Sequence, residues 1–345
     1  MGAMTRSSIR QSSHQRFMVT DSADVGAVRR AVRGYADQLR ADASFSAAAA
    51  QTATELATNL LLHADPGGWI LARPLPPAAV EILAVDRGPG IADVAAAVAG
   101  RAPAPKGLGC GLAAVRHASS SFDIHTCRDR GTVVLAIVEA GRARGPREER
   151  RPRSWAGVSV GIDEACGDGW AVIAEPRALT VAVVDGLGHG VHASIAADAA
   201  LSAVADYPAD LDGYLAHANA AMRDTRGAAV AICRLEPDRA ELRCLSIGNV
   251  NARLMHSGGQ VGIVPFNGTV GMRETPPANR IMHYPWPVAA ALVMWTDGLE
   301  SRIDLTAHAD LLRHDPAVTA AALHRDHARD RDDATVVVVR NQVTP

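Results

Sequence analysis

The chain has 345 residues, of which 48% are apolar and 21% charged, and its formal net charge is -2. That length and apolar share predict packed cores in two domains of ordinary size and exclude a disordered chain, while the near-neutral charge excludes a global pull toward nucleic acid or an anionic membrane. The five cysteines lack CxxC spacing, no apolar run reaches membrane-spanning length, and the N-terminus lacks a signal-peptide layout, so a cytoplasmic chain without a zinc site is expected.

Residues 1–16 read as a flexible N-terminus. Amphipathic spacing predicts helices over residues 24–40 and 46–63, with Ser44 or Ser46 capping the second. Residues 80–85 read as a strand that runs into the glycine loop Asp86-Arg-Gly88-Pro-Gly90. A helix opened by glycines is predicted over 110–120, and paired strands over 122–126 and 132–138. Residues 139–154 are polar, charge-dense and broken by Pro and Gly, so they read as a linker between domains at 17–138 and 155–341. Beyond it, strands are predicted at 155–162, 170–174, 180–184, 228–235, 240–247, 252–255, 290–295 and 334–339. Helices are predicted at 191–205, 211–222 and 316–328, and hairpins with a helix pair give an α+β sandwich.

Two apolar runs in the second half end in Asp-Gly, at Asp185-Gly186 and Asp297-Gly298. A buried strand delivers a carboxylate to the lip of a sheet in this way, with Gly turning the chain aside. Asp168 and the pair Asp332-Asp333 supply further carboxylates, and hard divalent cations favour such all-oxygen sets. Each Asp-Gly taken singly reads first as a plain turn, and it is the set in matching contexts that points to a metal site.

In the first half, Glu55, Asn59 and His63 recur every four residues and share one helix face. That face is either solvated or turned to a ligand. Asn59 can offer an oxygen to Mg²⁺, and Glu55 can take a proton from a nucleophile. Asp86 can accept from an adenine amino group, with Gly88 and Gly90 letting the backbone pass close to a base. The glycines Gly107, Gly109 and Gly111 open a helix whose free N–H groups can cradle phosphate. Thr132, after Gly131, can reach the base through water. Lys106 is the sole lysine of the chain; it either meets the terminal phosphates or is simply solvated.

These residues, over roughly 17–138, resemble the GHKL (Bergerat) ATPase superfamily, and within it the small serine kinases of bacterial partner-switching systems. The resemblance implies an α/β sandwich that binds Mg·ATP, with Asn59 as the Mg²⁺ ligand, Glu55 as catalytic base, Asp86 as adenine reader and residues 92–106 as a short lid. The phosphates would lie on Lys106 and the Gly107–Gly111 loop. Over about 155–341 the chain resembles the type 2C metal-dependent phosphatases in their SpoIIE-like branch, which implies an α-β-β-α sandwich holding two Mn²⁺ or Mg²⁺ ions. By that resemblance Asp185 bridges both metals, Gly186 gives its carbonyl, and Asp168, Asp297 and Asp332 complete the shells. Asp333 would point away or support by hydrogen bonding, and Glu164 would be an outer carboxylate or a loop charge. Many relatives carry a histidine two residues after the bridging Asp. Here Leu187 holds that place, and His189 is expected to be a helix cap or a substrate contact.

The expectation is therefore a bifunctional regulator, a serine/threonine kinase joined to a phosphoserine/phosphothreonine phosphatase. By resemblance its partners are STAS-domain antagonist or scaffold proteins, with a sigma factor or another regulator downstream, and a homodimer is left open. The alternatives are a phosphatase whose first domain only senses ATP, or one whose first domain docks a partner.

Overall fold

The computed structural model describes residues 7–101 (without 41 and 66), 111–141 and 153–341. Lys106, Gly107, Gly109 and most of the expected linker lie outside the described residues. In chain order the early elements are β1 (Ser7–Arg10), β2 (Gln15–Val19), α1 (Ser22–Gln38), α2 (Ala43–His63), β3 (Gly68–Leu75), β4 (Ala79–Asp86) and α3 (Val94–Val98). Then come α4 (Gly111–Ala118), β5 (Ser121–Cys127), β6 (Gly131–Glu139), β7 (Trp155–Val160), β8 (Asp168–Glu175) and β9 (Ala178–Gly186). After α5 (Val191–Asp206) and α6 (Leu211–Ala221) come β10 (Ala228–Glu236), β11 (Glu241–Ile247), β12 (Asn251–His256) and β13 (Gly259–Gly262). The chain closes with β14 (Met282–Pro285), β15 (Ala291–Trp295), α7 (Pro316–His327) and β16 (Ala334–Arg340).

Two compact units result, one of Met1–Ser13, Arg153–Leu312 and Asp326–Pro345, the other of His14–Pro152 and Arg313–Arg325. The second unit is built on a five-stranded sheet, β2-β3-β4-β6-β5, antiparallel throughout. Alternate residues Ile70, Ala72, Val80, Ile82, Ala84, Val134 and Ala136 face α1 and α2 and form its core with Val28, Val32, Ala53, Leu56 and Leu60. The intervening residues Leu71, Leu83, Val85 and Leu135 are fully buried too. Among them Arg73 pairs with Glu81 at 2.8 Å and His14 with the same carboxylate at 3.1 Å, so each buried charge has a partner. Near-continuous apolar runs in β4 and β6 follow from this two-sided burial.

The other unit stacks two sheets, β1-β8-β9-β10-β11-β14 and β13-β12-β15-β16-β7. Trp170, Val172, Val181 and Val183 of the first sheet meet Leu254, Leu292, Met294, Val337 and Val339 of the second. Helices α5 and α6 cover the outer face of the first sheet through Ala196, Ala200, Val204, Tyr214 and Leu215.

Several expectations differ in detail. Asp42 caps α2 by accepting from Phe45 N–H at 2.8 Å, while Ser46 Oγ donates to Asp37. The carboxylate at Asp42 comes before the periodic run, where the apolar pattern gives no guide. The stretch read as N-terminal tail contains β1, which pairs with β8 from Ser7↔Ala174 to Arg10↔Ala171. Short β13 and β14 and the early strands β2 and β3 carry weak alternation and were not predicted. Helix α7 belongs to neither expected layer: residues 313–325 cluster with the unit of the β2-β3-β4-β6-β5 sheet, although the sequence places them in the second domain. Pro316 to Arg325 are all buried. A helix without a polar stripe gives no signal of the body it packs on.

Candidate functional site

The hairpin β8–β9 sets Asp168 directly opposite Asp185. A cavity of about 420 Å³ opens at that end of the sheets, lined by Asp185, Asp297, Asp332, Asn249, Asn267 and Thr269 among others. Strand ends thus bring together carboxylates separated by more than a hundred residues in sequence. Asp168 is buried and its Oδ2 accepts from Thr296 Oγ1 at 2.6 Å. Thr296 Oγ1 in turn accepts from Thr335 N–H at 3.0 Å, so one hydroxyl fixes both the carboxylate and the start of β16.

Burial, then the Asp297 and Asp332 charges, push the Asp185 carboxyl up to about 8. Burial and the neighbouring Asp185 charge also raise Asp168 well above the ordinary carboxylate range. Like charges that share a site cannot all ionise without a compensating cation. Among the described residues Asp185 Oδ2 is buried without a hydrogen-bond partner. An orphaned carboxylate oxygen, among acids that oppose one another's ionisation, is the donor chemistry a hard divalent cation would satisfy. The set is a shared cavity rather than a closed cage, for among the described residues no three His, Cys, Asp or Glu side chains are drawn tightly enough to hold a metal ion. Asn249 Nδ2 donates to Asp297 Oδ2 at 2.5 Å.

The remaining acids take supporting places. Asp333 accepts from Ile162 N–H at 2.8 Å and from Gly167 N–H at 2.6 Å, tying down the loop that leads into Asp168. Gly186 has its Cα against the Ala193 carbonyl, where a Cβ would lie 2.2 Å from oxygen, so only glycine fits. His189 does not cap α5, whose N-cap is Gly190 without a side-chain bond. Its Nδ1 instead meets Asp163 Oδ2 at 2.6 Å, and that partner raises the imidazole above its ordinary value. Glu164 is exposed in the same loop.

The other constellation lies within the unit of the β2-β3-β4-β6-β5 sheet. Glu55 and Asn59 of α2 converge on the start of α4: a Cβ at Gly111 would lie 3.2 Å from both Glu55 Oε2 and Asn59 Oδ1. Among the described residues Asn59 Nδ2 is buried without a hydrogen-bond partner. Asp86, at the end of β4, is 9% exposed and its Oδ1 accepts from Gly88 N–H at 2.8 Å and Thr132 N–H at 3.1 Å. Burial raises its carboxyl against those bonds. Thr132 and Thr126 share a hydroxyl bond at 3.0 Å, and Thr126 Oγ1 accepts from Ile91 N–H, which holds the glycine loop onto β5. Gly90 adopts φ 79°, with its Cβ position 2.8 Å from the Cys127 carbonyl. His63 is exposed at the far end of the same helix face.

Sequence reasoning missed Thr296, Thr335, Asn249, Thr126 and Asp163. Thr296 could have been found, since it stands directly before an expected ligand, Asp297, just past the end of β15. The others are joined only by folding.

The family described as Histidine kinase-like ATPase domain matches residues 18–138, and that described as Stage II sporulation protein E (SpoIIE) matches residues 175–342. Phosphoserine phosphatase RsbX of Bacillus subtilis (strain 168) is 27% identical over 135 residues, which is 39% of this chain and 67% of that one. A solved structure from work on the bacterial stressosome as a modular system that controls secondary messenger signaling has a TM-score of 0.51 at 23% identity, covering 54% of this chain and 98% of its own. A crystal structure of RsbX in complex with magnesium has a TM-score of 0.49 at 23% identity, covering 56% of this chain and 97% of its own. Among the described residues no helix is long and apolar enough to cross a membrane.

Proposed function

We propose that this chain, which joins a histidine kinase-like ATPase domain to a PP2C-type serine/threonine phosphatase domain, is a bifunctional partner-switching regulator. One half phosphorylates a Ser or Thr of a STAS-domain partner with Mg·ATP; the other removes phosphate from the same or a related protein. The observation that carries the reading is that each half has its own polar groups, Glu55 with Asn59 at the start of α4 and a buried Asp86 at the end of β4 in one, Asp185 with Asp297 and Asp332 in the other. The pairing with RsbX supports the phosphoserine specificity of the second half.

In the phosphatase half, Asp185, Asp168, Asp297, Asp332 and the Gly186 carbonyl would hold two Mn²⁺ or Mg²⁺ ions. When bound, these supply charge neutralisation and a nucleophilic hydroxide at neutral pH. Asp333 and Thr296 keep the loop and Asp168 in place. In the kinase half, Asn59 would hold Mg²⁺, and Asp86 would accept from the adenine amino group. Gly88, Gly90 and Thr132 shape the base pocket, while Lys106, Gly107, Gly109 and Gly111 would meet the phosphates. Glu55 takes the seryl proton as the seryl oxygen attacks the γ-phosphorus and ADP leaves.

The test is a two-stage assay on a purified STAS-domain protein. Labelled γ-phosphate from ATP should appear on the partner with Mg²⁺, then be released when Mn²⁺ is added and ATP removed. Failure of the first stage, with phosphate still released from a partner phosphorylated beforehand by other means, favours an ATP-sensing or docking role for the first half. Thr296→Val, which deletes the donor to Asp168, should weaken Mn²⁺ binding about 10- to 100-fold in calorimetry while the far-ultraviolet spectrum is unchanged.

A further inference from the structure

A basic side chain stands at the edge of the phosphatase cavity, on the turn between α6 and β10. The turn is tightly held. Thr225 Oγ1 donates to the Met222 carbonyl at 2.7 Å and accepts from Gly227 N–H at 3.0 Å. Gly227 packs its Cα against the Val270 carbonyl, where a Cβ would lie 2.6 Å from oxygen. Ala228 and Val270 exchange both of their main-chain hydrogen bonds, at 3.0 and 2.9 Å. Arg226 is therefore carried on backbone that is fixed on either side, while its side chain is exposed.

The same turn lies between two walls of the cavity. Leu187, which lines it, donates its N–H to the Gly227 carbonyl at 3.0 Å. Thr269, which lines it too, has its Cγ2 3.0 Å from the position of a Cβ on Gly227. Arg226 Nη1 comes 2.9 Å from the position of a Cβ on Gly188, another lining residue. The guanidinium thus stands at the mouth of the cavity. Among the described residues no hydrogen bond or ion pair engages it. The nearby Arg223, by contrast, gives its guanidinium to the Glu274 carbonyl at 3.1 Å. Among the described residues no lysine, arginine or histidine lines the cavity itself.

Charge balance says what such a group can do. Asp168, Asp185, Asp297 and Asp332 bring four negative charges when ionised, and two divalent cations bring four positive ones. Asp333 stands near Asp168 as a further acid. A cavity loaded in this way has no surplus positive charge with which to draw in a phosphoryl dianion. A guanidinium at its mouth supplies that charge, and its planar fork of N–H donors matches two phosphoryl oxygens. We infer that Arg226 is the phosphate anchor of the phosphatase half: its guanidinium donates to the non-bridging oxygens of the phosphoserine or phosphothreonine phosphoryl group, and afterwards to inorganic phosphate before release. This rests on the two-metal reading of the cavity. The guanidinium holds those oxygens alike before and during attack, so its contribution is to binding and is read in KM rather than in kcat.

The test uses the full chain, a phosphoserine peptide, inorganic phosphate and Mn²⁺. Calorimetric Mn²⁺ titration reads the metal site by itself. Hydrolysis of the peptide, with phosphate as product inhibitor, reads the anchor. For Arg226→Gln the expected result is a rise of about tenfold or more in both KM and the phosphate inhibition constant, with kcat within about threefold and Mn²⁺ affinity within about twofold of wild type. Arg226→Lys, which keeps the charge and loses the fork, should recover part of that loss. Added salt should raise the wild-type KM more steeply than that of Arg226→Gln. If KM and the inhibition constant of Arg226→Gln stay within about twofold of wild type while Mn²⁺ binds and the peptide is hydrolysed, the anchor is overturned and the metal site stands. Mn²⁺ affinity that falls as far as phosphate binding does would make Arg226 a prop of the cavity and overturn the anchor too, as would an Arg226→Lys no better than Arg226→Gln. If the wild type neither binds Mn²⁺ nor hydrolyses the peptide, the metal-site reading itself fails and the anchor with it.

Discussion

Asp185→Asn is expected to lower phosphoserine hydrolysis by about 10³-fold or more, roughly 4 kcal/mol of transition-state stabilisation. Asp185 is the acid that lies opposite Asp168 and lines the cavity with Asp297 and Asp332, so its loss removes the centre of the oxygen set rather than one edge. The same substitution has an opposite effect on stability when metal is withheld. Between the ordinary value of 3.8 and about 8, the folded chain keeps a proton on Asp185 that the unfolded chain has released. Folded-state stability from this group is therefore greatest at low pH and falls as pH rises through that window. With chelator present, the wild-type melting temperature should drop more between pH 5 and pH 8 than that of Asp185→Asn, and Asp185→Asn should be the more stable protein at pH 8. Added Mn²⁺ should reverse the order, because a cation turns the repulsion into ligation. A wild-type melting temperature indifferent to pH and to Mn²⁺ would remove the cavity from consideration as a metal site.

Glu55→Gln is expected to lower phosphate transfer from ATP to the partner by about 10²- to 10⁴-fold while leaving nucleotide affinity within a few-fold of wild type. The two amino acids are nearly the same size, so the packing of α2 against the start of α4 survives, and Asn59 stays in place at Gly111. What is lost is the ability to take up the seryl proton. Asn59→Ala should differ in kind, reducing Mg·ATP binding itself, since that amide is buried beside Glu55 with an unmet donor. Equal losses of binding in both variants would assign Glu55 to holding the nucleotide rather than to the chemistry.

Much of this protein could be read from its residue order. The four-residue spacing of Glu55 and Asn59 puts them on one helix face whatever else the chain does, because the helical repeat is fixed by backbone geometry. Asp185 stands next to last in β9 and Asp297 two residues past β15, each set at a strand end by the apolar run before it, which is buried at Val181, Val183, Val293 and Trp295. Folding alone decided what those acids meet. The directly opposed register of Asp168 and Asp185, the hydroxyl of Thr296 beneath Asp168 and the amide of Asn249 on Asp297 are contacts across 17, 128 and 48 residues. No local pattern encodes them, because they depend on strand order and register.

Helix α7 marks the boundary between the two kinds of information. Its alanine-rich sequence determines that a helix forms at 316–327, since those residues favour helix with little loss of side-chain freedom. It cannot determine where that helix packs, because a helix buried on every side from Pro316 to Arg325 offers no preferred face. Only the tertiary structure supplies Asp123 at one end and the Asp86 carbonyl at the other, and hydrogen bonds between groups nearly two hundred residues apart or more exist only once the chain has closed.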